Sequence, residues 1–233
     1  MATSKKTRID TITLKPSQTK NALKHAILAQ RPTFLWGPPG IGKSSILKQI
    51  AEELGMDFED VRLSQMAPDD IKGIPFPVED EEGRKSVRWI PPHFLPRDKN
   101  ARTLILLDEM NAAVPTIQAA AYQLVLDRRI GEHVLPEGCM VIAAGNRETD
   151  KGATYRMATP LMNRFVHLEM RVDFDDWQSF AISKMYHRDV VGFITFQKGK
   201  LFEFDPSSAS RGFPTPRSWQ FVSDLLQVES RSG

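Results

Sequence analysis

The first chemical expectation rests on a short run of residues. Gly37-Pro38-Pro39-Gly40-Ile41-Gly42-Lys43-Ser44 spells G-x-x-x-x-G-K-[ST], the spacing of a loop that wraps phosphate, and Ser45 continues it into the next helix. The glycines let the backbone turn its N–H groups inward, Lys43 has the reach to meet the outer phosphates, and the Ser44 hydroxyl suits Mg²⁺. Further along, Asp108 and Glu109 follow the apolar run Thr103–Leu107. An aspartate at the end of a buried strand can hold Mg²⁺ through its water shell, and an adjacent glutamate can act as general base or position a water against a γ-phosphate. Asn146 follows the apolar run Met140–Ala144, where its amide can orient that water or a phosphate oxygen. Two arginines complete the candidates. Arg164 lies in Leu161-Met162-Asn163-Arg164-Phe165, far from the loop in sequence, and can serve a γ-phosphate across a subunit boundary. Arg217, in Thr215-Pro216-Arg217-Ser218-Trp219, stands in the first turn of an expected helix. Plainer roles stay open: Asn146 as a turn residue, Arg164 paired with a surface carboxylate, Arg217 as an ordinary surface cation.

These residues need elements to position them. The run Thr33–Trp36 before the loop reads as a buried strand, and Ser44–Gly55 after it reads as a helix, so a bound phosphate would sit at a helix N-terminus. Ser17–Gln30 has helical spacing with Ser17 as its expected cap. Phe58–Leu63, Thr103–Leu107 and Met140–Ala144 read as strands, and Thr116–Leu126 as a helix. Strand and helix alternate, which predicts a mostly parallel sheet with helices on both faces. Residues 65–98 are rich in Pro, Gly and charge and read as an insertion, with Arg84–Ile90 as one hairpin arm and Gly83 at its turn. Residues 128–138 read as a second hairpin or loop. Beyond Phe174 the pattern is helical: Trp177–Met185, Val190–Phe196 and Trp219–Val228. The expected organisation is a loosely held segment over 1–16, an α/β nucleotide-binding domain over 17–171, and a small helical lid over 172–233.

Composition bounds the rest. With 233 residues, 41% of them hydrophobic, the chain can bury one substantial core and leave length for a small second domain. The 31 basic and 29 acidic residues nearly cancel, so no global field points to nucleic acid or an anionic membrane. No apolar run approaches the length of a membrane span and the N-terminus leads into no apolar signal region, so a cytoplasmic protein is expected. The single cysteine, Cys139, excludes an intramolecular disulfide and is expected to be a small buried hydrophobe. The five histidines form no zinc-binding spacing, and Trp36, Trp89, Trp177 and Trp219 are scattered as core residues are.

In this order the motifs resemble the AAA+ ATPases over roughly Ser17–Gln227, a P-loop NTPase fold of three α/β layers followed by a helical lid. The resemblance implies Gly37–Ser44 as Walker A, Leu104–Glu109 as Walker B, Asn146 as first sensor, Arg164 as arginine finger and Arg217 as second sensor, with ATP or ADP and Mg²⁺ as ligands and Ser44 and Asp108 nearest the metal. Within the superfamily the chain is similar to the MoxR branch, also known by the AAA_5 domain. Asp69–Pro75 through Trp89–Pro92 matches that branch's insertion in the second helix, Arg128–Glu132 its second hairpin, and Leu107-Asp108-Glu109-Met110-Asn111-Ala112-Ala113 its Walker B segment in spacing and type. The lid, ending at Gly233 soon after the second sensor helix, is expected to be minimal or truncated. The resemblance implies a homo-oligomeric ring, commonly a hexamer, that remodels a protein client, with any von Willebrand-type domain supplied by a separate chain. Other readings are a nucleic-acid-directed ATPase, a non-hydrolysing nucleotide-gated scaffold and, ranked last, a small-molecule kinase.

Overall fold

The computed structural model describes residues 13–79, 81–150, 155, 157, 162–207 and 212–232. Six parallel strands form its centre: β1 (Thr13–Leu14), β2 (Thr33–Trp36), β3 (Asp57–Arg62), β6 (Thr103–Asp108), β9 (Met140–Gly145) and β10 (Val166–Met170). Their spatial order is β1-β10-β2-β9-β6-β3. The register aligns the carboxyl ends: Arg62 pairs with Asp108, Leu107 with Ala143, and Trp36 with both Gly145 and Glu169. A parallel sheet of this kind binds ligands at those ends, where the loops to the next helices open.

Period-two alternation sends successive side chains to opposite faces, and both faces are covered. One face buries Phe34, Ile105, Leu107, Val141 and Ala143 against α4 (Pro115–Asp127). The other buries Leu35, Leu104, Leu106, Met140, Ile142 and Ala144 against α1 (Pro16–Leu28) and α2 (Lys43–Leu54). The result is a three-layer α/β sandwich. A third cluster, around Trp177, Ala181, Val190, Ile194 and Leu201, joins α5 (Phe174–Ser183) to α6 (Arg188–Phe196), and Trp219 and Leu226 of α7 (Pro216–Ser232) pack on it. No helix among the described residues is long and apolar enough to cross a membrane.

Two insertions leave this frame. After α3 (Pro68–Lys72), β4 (Ile74–Glu79) and β5 (Lys85–Ile90) form a separate antiparallel hairpin in which Pro75 faces Trp89 and Pro77 faces Val87. Ile74, Phe76, Val87, Trp89 and Ile90 are all exposed on it. The second hairpin, β7 (Arg129–Ile130) and β8 (His133–Val134), turns at Gly131 with φ +54°.

Three expectations need correction. Trp89, expected among the core residues, is exposed on β5. Thr13–Leu14 is not a loose tail: it pairs with Glu169–Met170 as an edge strand, although residues 1–12 lie outside the described residues. Helix α1 begins at Pro16, not after Ser17. Pro16 takes the first helical position, which needs no N–H, Lys15 precedes it in extended conformation, and the Gln18 side chain accepts the Lys15 N–H. Strand β10, polar at His167 and Glu169, is not visible as an apolar run.

Leu106 is fully buried whereas Leu225, on α7, is 72% exposed. Leu106→Ala is expected to lower the unfolding free energy by about 2–5 kcal/mol in urea titrations, and Leu225→Ala by no more than about 0.5 kcal/mol.

Candidate functional site

The loop after β2 turns on two glycines with positive φ, Gly40 at +76° and Gly42 at +96°, and α2 starts at the next residue. Gly40 is needed twice over, because a Cβ there would also lie 2.8 Å from the Thr215 hydroxyl. Thr215 caps α7, accepting the Ser218 N–H at 3.1 Å, with Pro216 first in the helix. The adjoining Arg217 N–H donates to the Gly40 carbonyl at 3.2 Å. Arg217 is therefore seated against the loop from the helical side.

Lys43 is buried at the loop's centre. Its ammonium donates to the carbonyls of Gly37 (2.7 Å) and Pro38 (3.1 Å) and to Asn146 Oδ1 (3.1 Å). Desolvation lowers its pKa from the ordinary 10.5 to about 8. Asp108, Asp150 and Glu109 oppose that shift, and the Arg217 charge adds to it.

Asp108 and Glu109 lie at the end of β6. Asp108 Oδ1 accepts the Glu109 N–H at 2.8 Å, and Glu109 takes a left-handed backbone, φ 55°, at the start of the turn Met110–Ala112. A non-glycine residue held there is strained, by about 1–3 kcal/mol where such strain has been gauged, and such strain concentrates at functional sites. The Glu109 carboxylate accepts a hydrogen bond from the Ser64 hydroxyl, just beyond the end of neighbouring β3.

Asn146 is the first residue past β9, and the next residue anchors its loop. Arg147 forms a two-pronged ion pair with the buried Asp150, Nε and Nη2 to Oδ1 at 3.1 and 2.8 Å, and meets Glu169 of β10 at 3.5 Å. These contacts raise the Arg147 pKa against the opposing effect of burial.

Arg164 stands apart. It is exposed in the turn before β10, at the amino end of the sheet. At about 3.3 Å per residue, the four residues of β2 put roughly 13 Å between that end and Gly37. His167 steadies the turn. Trp36 Nε1–H can only donate, so it fixes His167 Nδ1 as acceptor at 2.9 Å, and the Nε2–H is left to donate to the Met162 carbonyl at 2.6 Å.

Between the loop and the helical cluster lies a cavity of about 400 Å³, lined on one side by Ile41, Gly42 and Ser45 and on the other by Trp177, Phe180 and Arg217. Its rim is tied by Asp176, which accepts the Ser17 N–H at 2.7 Å and pairs with Lys15 at 3.5 Å. The structure thus brings Gly37–Ser45, Asp108, Glu109, Asn146 and Arg217 to one end of the sheet and leaves Arg164 at the other. Sequence reasoning missed Ser64, Asn111, Asp176 and Thr215, whose partners are distant in the chain, and Asp150, whose ion pair with Arg147 is local but follows no recognisable motif.

This arrangement can be set beside known proteins. Residues 33–171 match the model of the ATPase family associated with various cellular activities (AAA). The chain belongs to this AAA family. Over 167 residues the AAA chain is 29% identical to Midasin of Giardia intestinalis, a match covering 67% of the chain and 3% of Midasin. NtrX from Brucella abortus in complex with ADP superposes with a TM-score of 0.53 at 13% identity, over 92% of this chain and 49% of NtrX. The Holliday junction branch migration motor RuvB of Thermotoga maritima does so with a TM-score of 0.50 at 17% identity, over 92% of this chain and 63% of RuvB. At these identities the structural likeness shows the fold alone. The AAA chain spans a small part of Midasin and half to two thirds of these structural neighbours.

Lys43 gives a pH test with a definite sign. Its folded pKa lies below the unfolded value, so between about pH 8 and 10.5 the unfolded chain holds more protons. The destabilisation from burying the charge is fully present below pH 8 and is relieved as pH rises, by about 1.4 kcal/mol per pH unit at most. Urea unfolding of the nucleotide-free protein and of Lys43→Met should show the variant's advantage shrinking by about 1–3 kcal/mol between pH 8 and 10.

Proposed function

We propose that this AAA chain binds ATP in the Gly37–Ser45 loop and hydrolyses it with Mg²⁺, as a MoxR-like ring subunit that remodels a protein client. The observation that carries the reading is the set of acceptors around Lys43. Two loop carbonyls and Asn146 Oδ1 hold the ammonium beside the Asp108 and Glu109 charges, at the N-terminus of α2. A γ-phosphate entering there offers stronger, charged acceptors to the same ammonium and meets the inward-facing amides of the helix start. The cavity beside the loop suits the nucleoside half of the ligand.

The donors present fit Mg²⁺. Ser44 and Asp108 supply a hydroxyl and a carboxylate, hard oxygen ligands, and among the described residues no cluster of three or more His, Cys, Asp or Glu side chains forms a closed cage. An ion that keeps waters and phosphate oxygens needs few protein ligands, and when bound it neutralises charge on those oxygens. Glu109 is the base that takes a proton from the attacking water, Asn146 orients that water or a phosphate oxygen, and Arg217 meets the phosphates from the lid, here residues 172–233.

Arg164 cannot serve the phosphates of its own chain from the far end of the sheet. Its exposure there supports a role in the neighbouring subunit's site, which requires a head-to-tail interface that closes into a ring, commonly of six. The exposed apolar β4–β5 hairpin supports a polypeptide client.

Mixing variants tests the scheme. Glu109→Gln should bind ATP with hydrolysis reduced at least about 100-fold, and Arg164→Ala should lose about 10³-fold. Mixed together, they should regain activity, because an intact Glu109 can receive an intact Arg164 from its neighbour. A mixture no faster than either parent overturns the trans assignment, and wild-type turnover in Glu109→Gln overturns hydrolysis at this site. ATP-loaded Glu109→Gln should capture protein. Capture of nucleic acid alone, with ATPase stimulation that falls steeply with salt, would replace the client reading by the nucleic-acid one.

A further inference from the structure

Asn111, in the segment Asp108-Glu109-Met110-Asn111, has no part in the proposed chemistry, yet its side chain is among the most constrained at the site. Asn111 is 2% exposed. Its Nδ2 donates to the main-chain carbonyl of Asn146 at 2.8 Å, and its own carbonyl accepts the Tyr155 N–H at 2.7 Å. The amide orientation is fixed by chemistry, since a flipped side chain would oppose two oxygens. Its Oδ1 is then left buried, with no hydrogen-bond partner among the described residues.

That arrangement weighs against a purely structural role. An unpaired buried acceptor is destabilising, and an apolar side chain of similar size would avoid it. The same oxygen also restricts the next strand. A Cβ at position 145 would lie 2.2 Å from Asn111 Oδ1, so a larger residue there would displace the Asn111 side chain.

Asn146 explains what the Nδ2–H does. Ladder pairing of β9 ends with Trp36↔Gly145 on one side and Leu107↔Ala143 on the other, so the Asn146 carbonyl lies beyond the sheet. The Asn111 amide supplies its partner and sets the plane of the Asn146–Arg147 peptide. The Asn146 side chain, in turn, accepts from Lys43. A continuous path therefore runs from the strained Glu109, through the Met110–Ala112 turn and Asn111, to Asn146 and the loop lysine.

We propose that Asn111 is a positioning residue for ATP hydrolysis, tying the turn that carries Asp108 and Glu109 to the main chain of Asn146 so that carboxylate and amide keep one separation. This rests on the reading of Asn146 as a phosphate- or water-facing amide. Displacements of about 1 Å at such a site are enough to lower turnover about 100-fold without weakening binding to match.

The test is a double-variant cycle on the full chain, following kcat and KM for ATP. Asn111→Leu removes the donor and the unpaired acceptor together, and Asn111→Asp keeps the shape but loses the donor, so one variant serves if the other fails to fold. Either should lower kcat about tenfold or more, with KM changed less than about threefold. Asn111→Leu combined with Asn146→Ala should be no slower than Asn146→Ala alone, because the first residue acts through the second. In wild type the Asn146 side-chain amide NMR signal should differ between ADP and a non-hydrolysable ATP analogue, and Asn111→Leu should abolish that difference. A kcat within twofold of wild type in both Asn111 variants, or fully additive losses in the double variant, overturns the proposal while leaving Asn146 its role. Wild-type turnover in Asn146→Ala, or no wild-type hydrolysis at all, overturns the underlying reading and the inference with it.

Discussion

Everything at the candidate site is arranged around one buried ammonium. Lys43 is nearly enclosed, and desolvation alone would drive it towards neutrality. It is satisfied instead by three oxygens from two strands' ends, Gly37 and Pro38 after β2 and Asn146 after β9. Three donors meeting three acceptors in a dry setting fix the loop against the sheet, which is why strand register, and not loop sequence alone, determines the geometry. The carboxylates beside it supply the long-range charge that keeps the proton in place. Their own positions depend on β6 ending level with β3 and β9.

Much of this could be read along the chain, for physical reasons that differ by element. Thr103–Leu107 and Met140–Ala144 are covered on both faces, so burial writes itself as a continuous apolar run. The phosphate loop is legible because its glycines meet local backbone demands. Strand β10 is not, because its His167 and Glu169 are spent on contacts with Trp36 and Arg147, and two-residue β1 exists only by pairing with it. Ser17 shows how a correct local rule is overridden. Its N–H is taken by Asp176, 159 residues away, while Pro16 occupies the first helical turn. Ser64, Asn111 and Asp150 are ordinary residues in sequence, and only juxtaposition gives them a part.

The helical region meets the loop through small, specific contacts. Thr215 packs where Gly40 lacks a side chain, the Arg217 N–H reaches the Gly40 carbonyl, and Asp176 holds the start of α1. Gly40, Arg217, Ser17 and Asp176 all line the cavity beside the loop, so the seating of α5 and α7 sets the loop's surroundings. Coupling of this kind needs no long relay, since the contacting groups belong to the loop itself.

The β4–β5 hairpin has a consequence for how the molecule keeps to itself. Prolines 75 and 77 alternate with the residues between them, so both missing N–H groups fall on the same side of β4. Because β4 pairs with β5 along all six residues, that side is the outward one. An unprotected strand edge invites another strand to add to it, most of all when its faces are as apolar as Ile74 and Phe76 make this one. Here the outer edge of β4 lacks the donors to hold such an addition, so the hairpin can display hydrophobic side chains while denying open-ended growth along that edge.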